Sequence, residues 1–351
     1  MILSGNPMQD RPMFAQFFSL NSRILAPSVA ALLSLMAVGA DANSGVHTVH
    51  RQQAPDESMQ LTDALRRDMG VSKVRLTAGT TRYTSRQAPG ATLVVSIHGY
   101  SAPSFVWEGV ANQLQRTGLA TLTYDLYGHG LSDRPLVDYT RALFVQRLEE
   151  LLNHIKPSGK VHLVGWSMGA MVAAQYATEH PEQVASATMV SPSGLSIRMG
   201  LMGRAAMTPI IGDIGYRLMG GYGMRRAQRA FYEDEEAHQR YMREFVEQTQ
   251  YEGFRRAMLS TLRHMAMDNF ADEYALYGRN APPTRVLWAE SDRATPYANH
   301  TSFLALVPTA KLTPLKGVGH AGPYEAPRLI ADALAAHVRA TSTPGSAGAL
   351  P

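Results

Sequence analysis

The sequence predicts an α/β fold in which helices flank a mainly parallel sheet, and three observations carry that prediction. Residues 92–97, 161–164 and 286–289 are short, predominantly apolar runs, as expected of strands buried on both faces of a parallel sheet. Helical periodicity separates them: Trp107, Val110 and Leu114 fall on one face of one helix, and Leu143, Leu148, Leu151, Leu152 and Ile155 repeat at helical spacing in another. Between the run 161–164 and the alanine-rich stretch 170–177 stands Gly165-Trp166-Ser167-Met168-Gly169, which reads as strand, tight turn, helix.

Taken in order, the chain opens with a targeting pattern. Residues 24–40 form an uncharged, mostly apolar run, with Arg11 and Arg23 before it and Ala40-Asp41-Ala42 after it, the order of a secretory leader. Cleavage is expected before Asn43, so residues 1–42 are a leader and the protein is exported, secreted or periplasmic. The alternative is an uncleaved anchor formed by residues 24–40, a stretch that Pro27 interrupts and that spans a bilayer only marginally. Residues 43–60 are polar and aperiodic, a flexible mature N-terminus.

The core is expected over residues 61–193 and 281–340. Residues 71–77 and 80–84 predict two outer antiparallel strands, 119–124 the next buried strand after 92–97, and 187–190 another. Residues 194–280 have a different texture, rich in Met and Arg, broken by Gly220, Gly221 and Gly223 and without a convincing buried strand, and they predict an inserted helical cap. After Pro282-Pro283 the core pattern resumes with a strand at 286–289, a helix around 301–306, a strand at 311–315 and a last helix at 327–340. Residues 341–351 are Gly, Ala, Ser and Pro rich, a mobile tail, and no internal repeat is visible.

Composition narrows the function. A chain of 351 residues buries a core unaided, and the absence of cysteine removes thiol catalysis and cysteine-ligated metals. The formal net charge is +4 and only 18% of residues are charged, with no long basic run, which gives nucleic-acid binding little support. No metal-ligand cluster and no cofactor motif is visible, so neither metal nor cofactor is expected.

Ser167 is the candidate nucleophile. A serine squeezed between strand and helix takes a strained backbone, its flanking glycines let the helix pack close to the strand, and the helix N-terminus aims unpaired amides at the same space. For the motif alone, the plain alternative is a glycine-flanked turn serine. A serine hydroxyl needs a base and an acid to orient that base. His320 lies in a glycine-rich loop after the last core strand, and Asp292 lies just past the strand 286–289, so all three residues come to the carboxyl edge of the sheet. Glu290 is the alternative acid. The oxyanion donors are expected to be the amides of Met168 and of Tyr100, the latter in the turn after 92–97. His98, His129 and His162 are read as structural or merely close to the site.

Together these segments resemble the α/β-hydrolase fold family. The likeness rests on His98-Gly99-Tyr100, on Tyr124-Asp125-Leu126-Tyr127-Gly128-His129-Gly130-Leu131-Ser132-Asp133, on the Ser167 elbow and on the Asp292 and His320 loops, and it spans about residues 71–340. It implies a mainly parallel eight-stranded sheet flanked by helices, a helical cap inserted after the sixth strand and a Ser-His-Asp triad. The Gly128-His129-Gly130 turn is similar to one the family uses structurally, so His129 is not counted as catalytic.

The expected function is hydrolysis of small or medium-sized carboxylic esters through an acyl-enzyme, in the manner of an esterase or lipase. The expected partner is a small-molecule ester, without nucleic acid and without stable membrane insertion once the leader is cut; the oligomeric state stays open. The rivals are an aminopeptidase, in which the acidic run Glu233 to Glu236 binds a substrate amine, a carbon-carbon bond hydrolase, and a catalytically silent binding protein on the same scaffold. Within the cap, Met199, Leu201, Met202, Met207, Ile210, Ile211, Ile214, Leu218 and Met219 are expected to pack against the core in roughly two thirds of cases and otherwise to line an acyl channel.

Overall fold

The sheet has eight strands: β1 (Lys73–Leu76), β2 (Gly79–Arg86), β3 (Leu93–Ile97), β4 (Ala120–Tyr124), β5 (Val161–Trp166), β6 (Val184–Val190), β7 (Thr284–Ala289) and β8 (Lys311–Leu315). They lie in the order β1-β2-β4-β3-β5-β6-β7-β8. The pairs β1/β2 and β2/β4 are antiparallel and all others are parallel. The computed structural model describes residues 57–342 apart from 88–89 and 198–200. The expected leader, most of the expected flexible N-terminus and the tail from residue 343 lie outside the described residues.

Every residue of β3, β4 and β5 is buried, so the polar Ser96, Thr121, Thr123 and His162 lie inside with their apolar neighbours, as in a parallel sheet covered on both faces. Helices α1 (Asp63–Asp68), α2 (Glu108–Arg116), α3 (Arg141–Ile155) and α4 (Met168–Glu179) accompany the first five strands. The cap region between β6 and β7 holds α5 (Leu201–Ala206), α6 (Ile211–Gln228), α7 (Glu235–Thr249), α8 (Phe254–His264) and α9 (Ala271–Arg279). The remaining helices are α10 (Asn299–Leu306), α11 (Gly322–Glu325) and α12 (Pro327–Ser342). The helix α2 packs against α12, while in a second group α3 packs on α4, α4 on α9 and α9 on α10.

Local chemistry sets the helix ends. Thr140 caps α3 by accepting the Leu143 amide, and Lys156 closes that helix in the left-handed conformation. Asp234 caps α7 by accepting the amides of Glu236 and Ala237. At the start of α4 the N-cap position is Ser167, and its side chain makes no cap hydrogen bond. The hydroxyl at the end of β5 is thereby left available for something other than helix stability.

Candidate active site

Ser167 sits at φ 54 and ψ −118, outside the regions an L-residue favours. Neighbouring backbone forces this turn. A Cβ on Gly165 would collide with the Gly169 carbonyl, and one on Gly169 would collide with the Ile97 carbonyl, so only glycine lets α4 start this close to β5 and β3. The elbow is tied on both sides: the Ser167 amide donates to Val190 O at 2.9 Å, and Ser167 O accepts the Ser193 amide at 3.2 Å. Next to it, the Trp166 indole N–H donates to the His320 carbonyl at 2.7 Å, which joins the β5 elbow to the loop after β8.

The structure brings Asp292 and His320 together. His320 Nδ1 is 2.8 Å from Asp292 Oδ2, and both residues are buried. The other Asp292 oxygen accepts the amides of Ala294 and Thr295 at 2.8 and 2.7 Å, and the Thr295 hydroxyl stands 2.9 Å from Oδ2. Burial pushes Asp292 up, but the His320 charge, its hydrogen bond and the Thr295 amide outweigh that, and the carboxyl is held below the usual aspartate value. Phe231 and Trp166 flank the imidazole, with ring centroids at 5.1 and 5.4 Å. Glu290, the alternative acid, is exposed.

The Ser167 hydroxyl makes its hydrogen bond to Ser193 Oγ at 2.9 Å, not to His320. Ser193, buried in the loop after β6, is a neighbour that sequence reasoning missed, as is Thr295. No spacing rule marks a serine or threonine in such loops. Tyr100 follows β3, where its glycine neighbour is essential to the geometry. A Cβ on Gly99 would stand 3.2 Å from the Ser167 Cβ, so the loop passes directly over the serine. Among the described residues neither the Tyr100 nor the Met168 amide has an acceptor.

Two buried histidines hold that loop. His98 Nε2 accepts the Leu126 amide at 2.8 Å and its Nδ1–H donates to Gly99 O at 2.8 Å, while His129 Nε2 accepts the Ser101 amide at 3.1 Å. These bonds require neutral rings in one tautomer, and burial pushes His98 down to about 4 and His129 well below its ordinary value. Both act on backbone, as does the turn around Asp125, whose carboxylate accepts the amides of Ser104 and Leu131 at 2.8 and 2.9 Å.

A profile described as the alpha/beta hydrolase family matches residues 94–333. The chain belongs to the alpha/beta hydrolase family. A monoacylglycerol lipase of Xenopus laevis is 37% identical over 116 residues, 32% of this chain and 34% of the relative. The human monoacylglycerol lipase ABHD6 is 34% identical over the same length and shares. The chain thus matches about a third of the length of these curated relatives. An esterase from Thermogutta terrifontis superposes with a TM-score of 0.64 at 19% identity, covering 78% of this chain and 99% of the esterase. A meta-cleavage product hydrolase from Pseudomonas fluorescens gives 0.63 at 18%, with the same coverage, and shares the fold.

Beside the elbow a cavity of about 280 Å³ opens on Ser167, Ser193, Thr295 and His320. Its remaining wall is apolar, with Ile197, Met224, Ala227, Phe231, Leu262 and Met267, and no Asp, Glu, Lys or Arg lines it. Larger open clefts of about 590 and 700 Å³ lie around Lys156 and Lys160 at the opposite, amino edge of the strands and contain none of the groups above. Among the described residues no group of three or more His, Asp or Glu side chains is placed to hold a metal ion.

The cap corrects one expectation. Leu201, Met207, Ile210, Ile211, Ile214, Leu218 and Met219 are exposed; they neither pack on the core nor line the cavity. The buried face of α6 carries Gly212, Gly220, Met224 and Gln228 instead. Met199 and the side chain of Met202 lie outside the described residues. The acidic run is spent on local tasks: Glu233 pairs with Arg293, Asp234 caps α7, Glu235 pairs with Arg229, and Glu236 pairs with Arg240.

Proposed function

We propose that this hydrolase is a serine esterase for small or medium-sized carboxylic esters with an apolar acyl chain. The observation that carries the reading is the uncharged, apolar cavity that ends on Ser167 and His320. Ser167 Oγ turns from Ser193 toward His320 Nε2, gives up its proton there and attacks the ester carbonyl. His320 returns that proton to the leaving alcohol, with Asp292 holding Nδ1–H and stabilising the imidazolium. The amides of Tyr100 and Met168 receive the oxyanion, being unspent on other acceptors and set at the elbow and at the N-terminus of α4. Water activated by the same histidine then releases the acid. The names of the lipase relatives support an ester as the substrate class.

An aminopeptidase would need a carboxylate facing the substrate amine, and Glu233 to Glu236 are occupied elsewhere. Two measurements test the reading: fluorophosphonate labelling mapped by peptide mass, and turnover of p-nitrophenyl esters against amino-acid amides and carbon-carbon substrates. Labelling at Ser167 with ester turnover is expected. An unlabelled Ser167, or amide turnover exceeding ester turnover, overturns it. Export with cleavage before Asn43 is proposed on the sequence pattern alone, and N-terminal sequencing of the natural product decides between it and an anchor at residues 24–40.

A further inference from the structure

Eight of the fourteen exposed large hydrophobic side chains of the described residues fall between Leu201 and Tyr222, among them Leu201 at 76% exposure, Ile210 at 73%, Ile214 at 58% and Leu218 at 73%. In α6, Ile211, Ile214, Leu218 and Tyr222 recur at spacings of three and four, which puts them in one stripe along the helix. The opposite side of the same helix is the one that carries the buried Gly220 and Met224. Thus α6 is apolar on both faces, and only one is covered by the described residues. Scattered exposed apolar side chains are ordinary, but a contiguous group of this size marks an interaction surface.

Charge says what covers it. Arg204, Arg217, Arg225 and Arg226 accompany the stripe, and none of the four makes an ion pair among the described residues. At 100° per residue, Arg225 continues the line of Leu218 and Tyr222, while Arg217 and Arg226 flank it on either side. The one acidic residue of these two helices, Asp213, is already paired with Arg263. An apolar stripe edged by unpaired arginines matches the boundary between headgroups and acyl chains of an anionic bilayer, where the stripe is buried and the guanidinium groups meet phosphate. A second copy of this chain would bring the same four arginines face to face. Residues 1–56 hold Asp10, Asp41 and Asp56 against Arg11, Arg23 and Arg51, which gives them no net negative charge to offer.

We propose that the Leu201 to Tyr222 face of the cap docks on an anionic lipid surface. Gly203 and Gly223 line the cavity, so the docked face adjoins the cavity wall. Docking is independent of which bond the site cleaves.

The chain has no cysteine, so Leu218→Cys in the full chain accepts a single environment-sensitive fluorophore, and Leu329→Cys, exposed on α12, serves as the reference position. With phosphatidylcholine vesicles containing about a third phosphatidylglycerol, a blue shift at position 218 and none at 329 is expected. Pure phosphatidylcholine should give a weaker response, and Arg217→Glu with Arg226→Glu should lower partitioning by at least about tenfold. Hydrolysis of a soluble short-chain ester should be unchanged by these exposed substitutions and reports that the variants fold. Three results overturn the proposal: vesicle binding that leaves the 218 probe in water, which assigns binding to another part of the chain; a shift that rises with protein concentration without lipid, which assigns the face to self-association; and a response equal for both vesicle types and indifferent to the arginine reversals.

Discussion

Beneath Ser167 the core buries polar groups against one another: Asp292 takes two amides, a hydroxyl and an imidazole, His98 and His129 each span two backbone groups, and Asp125 holds the turn between them. Above Ser167 the cap offers Ile197, Met224, Leu262 and Met267 inward and a second apolar stripe outward. The two regions line one cavity by different physics. Directional bonds in low dielectric fix atoms to fractions of an ångström and fail abruptly when one member is removed. Apolar contact is additive and forgiving, so it grades substrates by size without deciding whether reaction occurs. Substitutions in the floor should therefore change rate by orders of magnitude, and substitutions in the cap should move chain-length preference by small steps.

The largest effect should come from Ser167→Ala. Turnover is expected to fall by at least about a thousandfold, since removal of a nucleophile leaves only binding and oxyanion contacts. Asp292→Asn should follow, less damaging by about tenfold or more, with Glu290→Gln inside about twofold of wild type. Kinetics with one p-nitrophenyl ester check all three. If Glu290→Gln is the damaging change and Asp292→Asn is not, the acid is misassigned.

Acid should attack the floor before the cap. His98 is pushed down to about 4 and His162 to about 3 by burial, so below the ordinary value of 6.5 the unfolded chain binds protons that the native chain refuses. Stability from these groups is present in full above about 6.5 and is lost as pH falls toward 4, by up to ~3 kcal/mol for His98. Urea midpoints at pH 7 and pH 5 measure the loss. His162→Gln should reduce the difference between them, because one of the refusing rings is gone; an unchanged difference would remove His162 from the account.

Much of the floor was legible because strand burial leaves a mark in sequence. Residues 92–97 became the buried Leu93–Ile97, residues 286–289 fell in the mostly buried Thr284–Ala289, and Ser167, Asp292 and His320 were readable as polar residues in the loops that follow strands. The helix α1 was not, because the side chain that docks it is Arg66, fully buried against Asp133 and the Leu131 carbonyl, and an arginine signals no core. The cap was misread for a different reason. Periodicity shows that Ile211, Ile214 and Leu218 share a face, but nothing in a single sequence says whether protein or something else covers that face.

The part in selectivity proposed for the cap can be sharpened at Met224, which is buried and lines the cavity. Efficiency on a series of p-nitrophenyl esters should rise with acyl length by about 0.8 kcal/mol, or roughly fourfold, for each methylene buried until the space is full. Met224→Ala should move the optimum to longer chains while leaving acetate turnover close to wild type. An unchanged optimum would show that the acyl chain runs elsewhere.

A smaller effect belongs to Ser193, and it tests where floor and cavity meet. Its hydroxyl is the hydrogen-bond partner of Ser167 Oγ, whereas its amide to Ser167 O and its carbonyl, which accepts the Tyr274 hydroxyl at 2.7 Å, hold the loop through backbone alone. On the proposed mechanism Ser193→Ala therefore removes the bond that Ser167 must break before it can reach His320, and it leaves the supporting geometry in place. One neutral hydrogen bond is worth about 1 kcal/mol net, so the second-order rate of fluorophosphonate labelling should rise, by up to about fivefold. The gain should appear in that rate and in kcat/KM together, because both start from the resting enzyme. A loss beyond about tenfold would mean that the Ser193 hydroxyl acts on the reacting atoms and is stronger there than in the resting state, which would make it part of the chemistry of the floor.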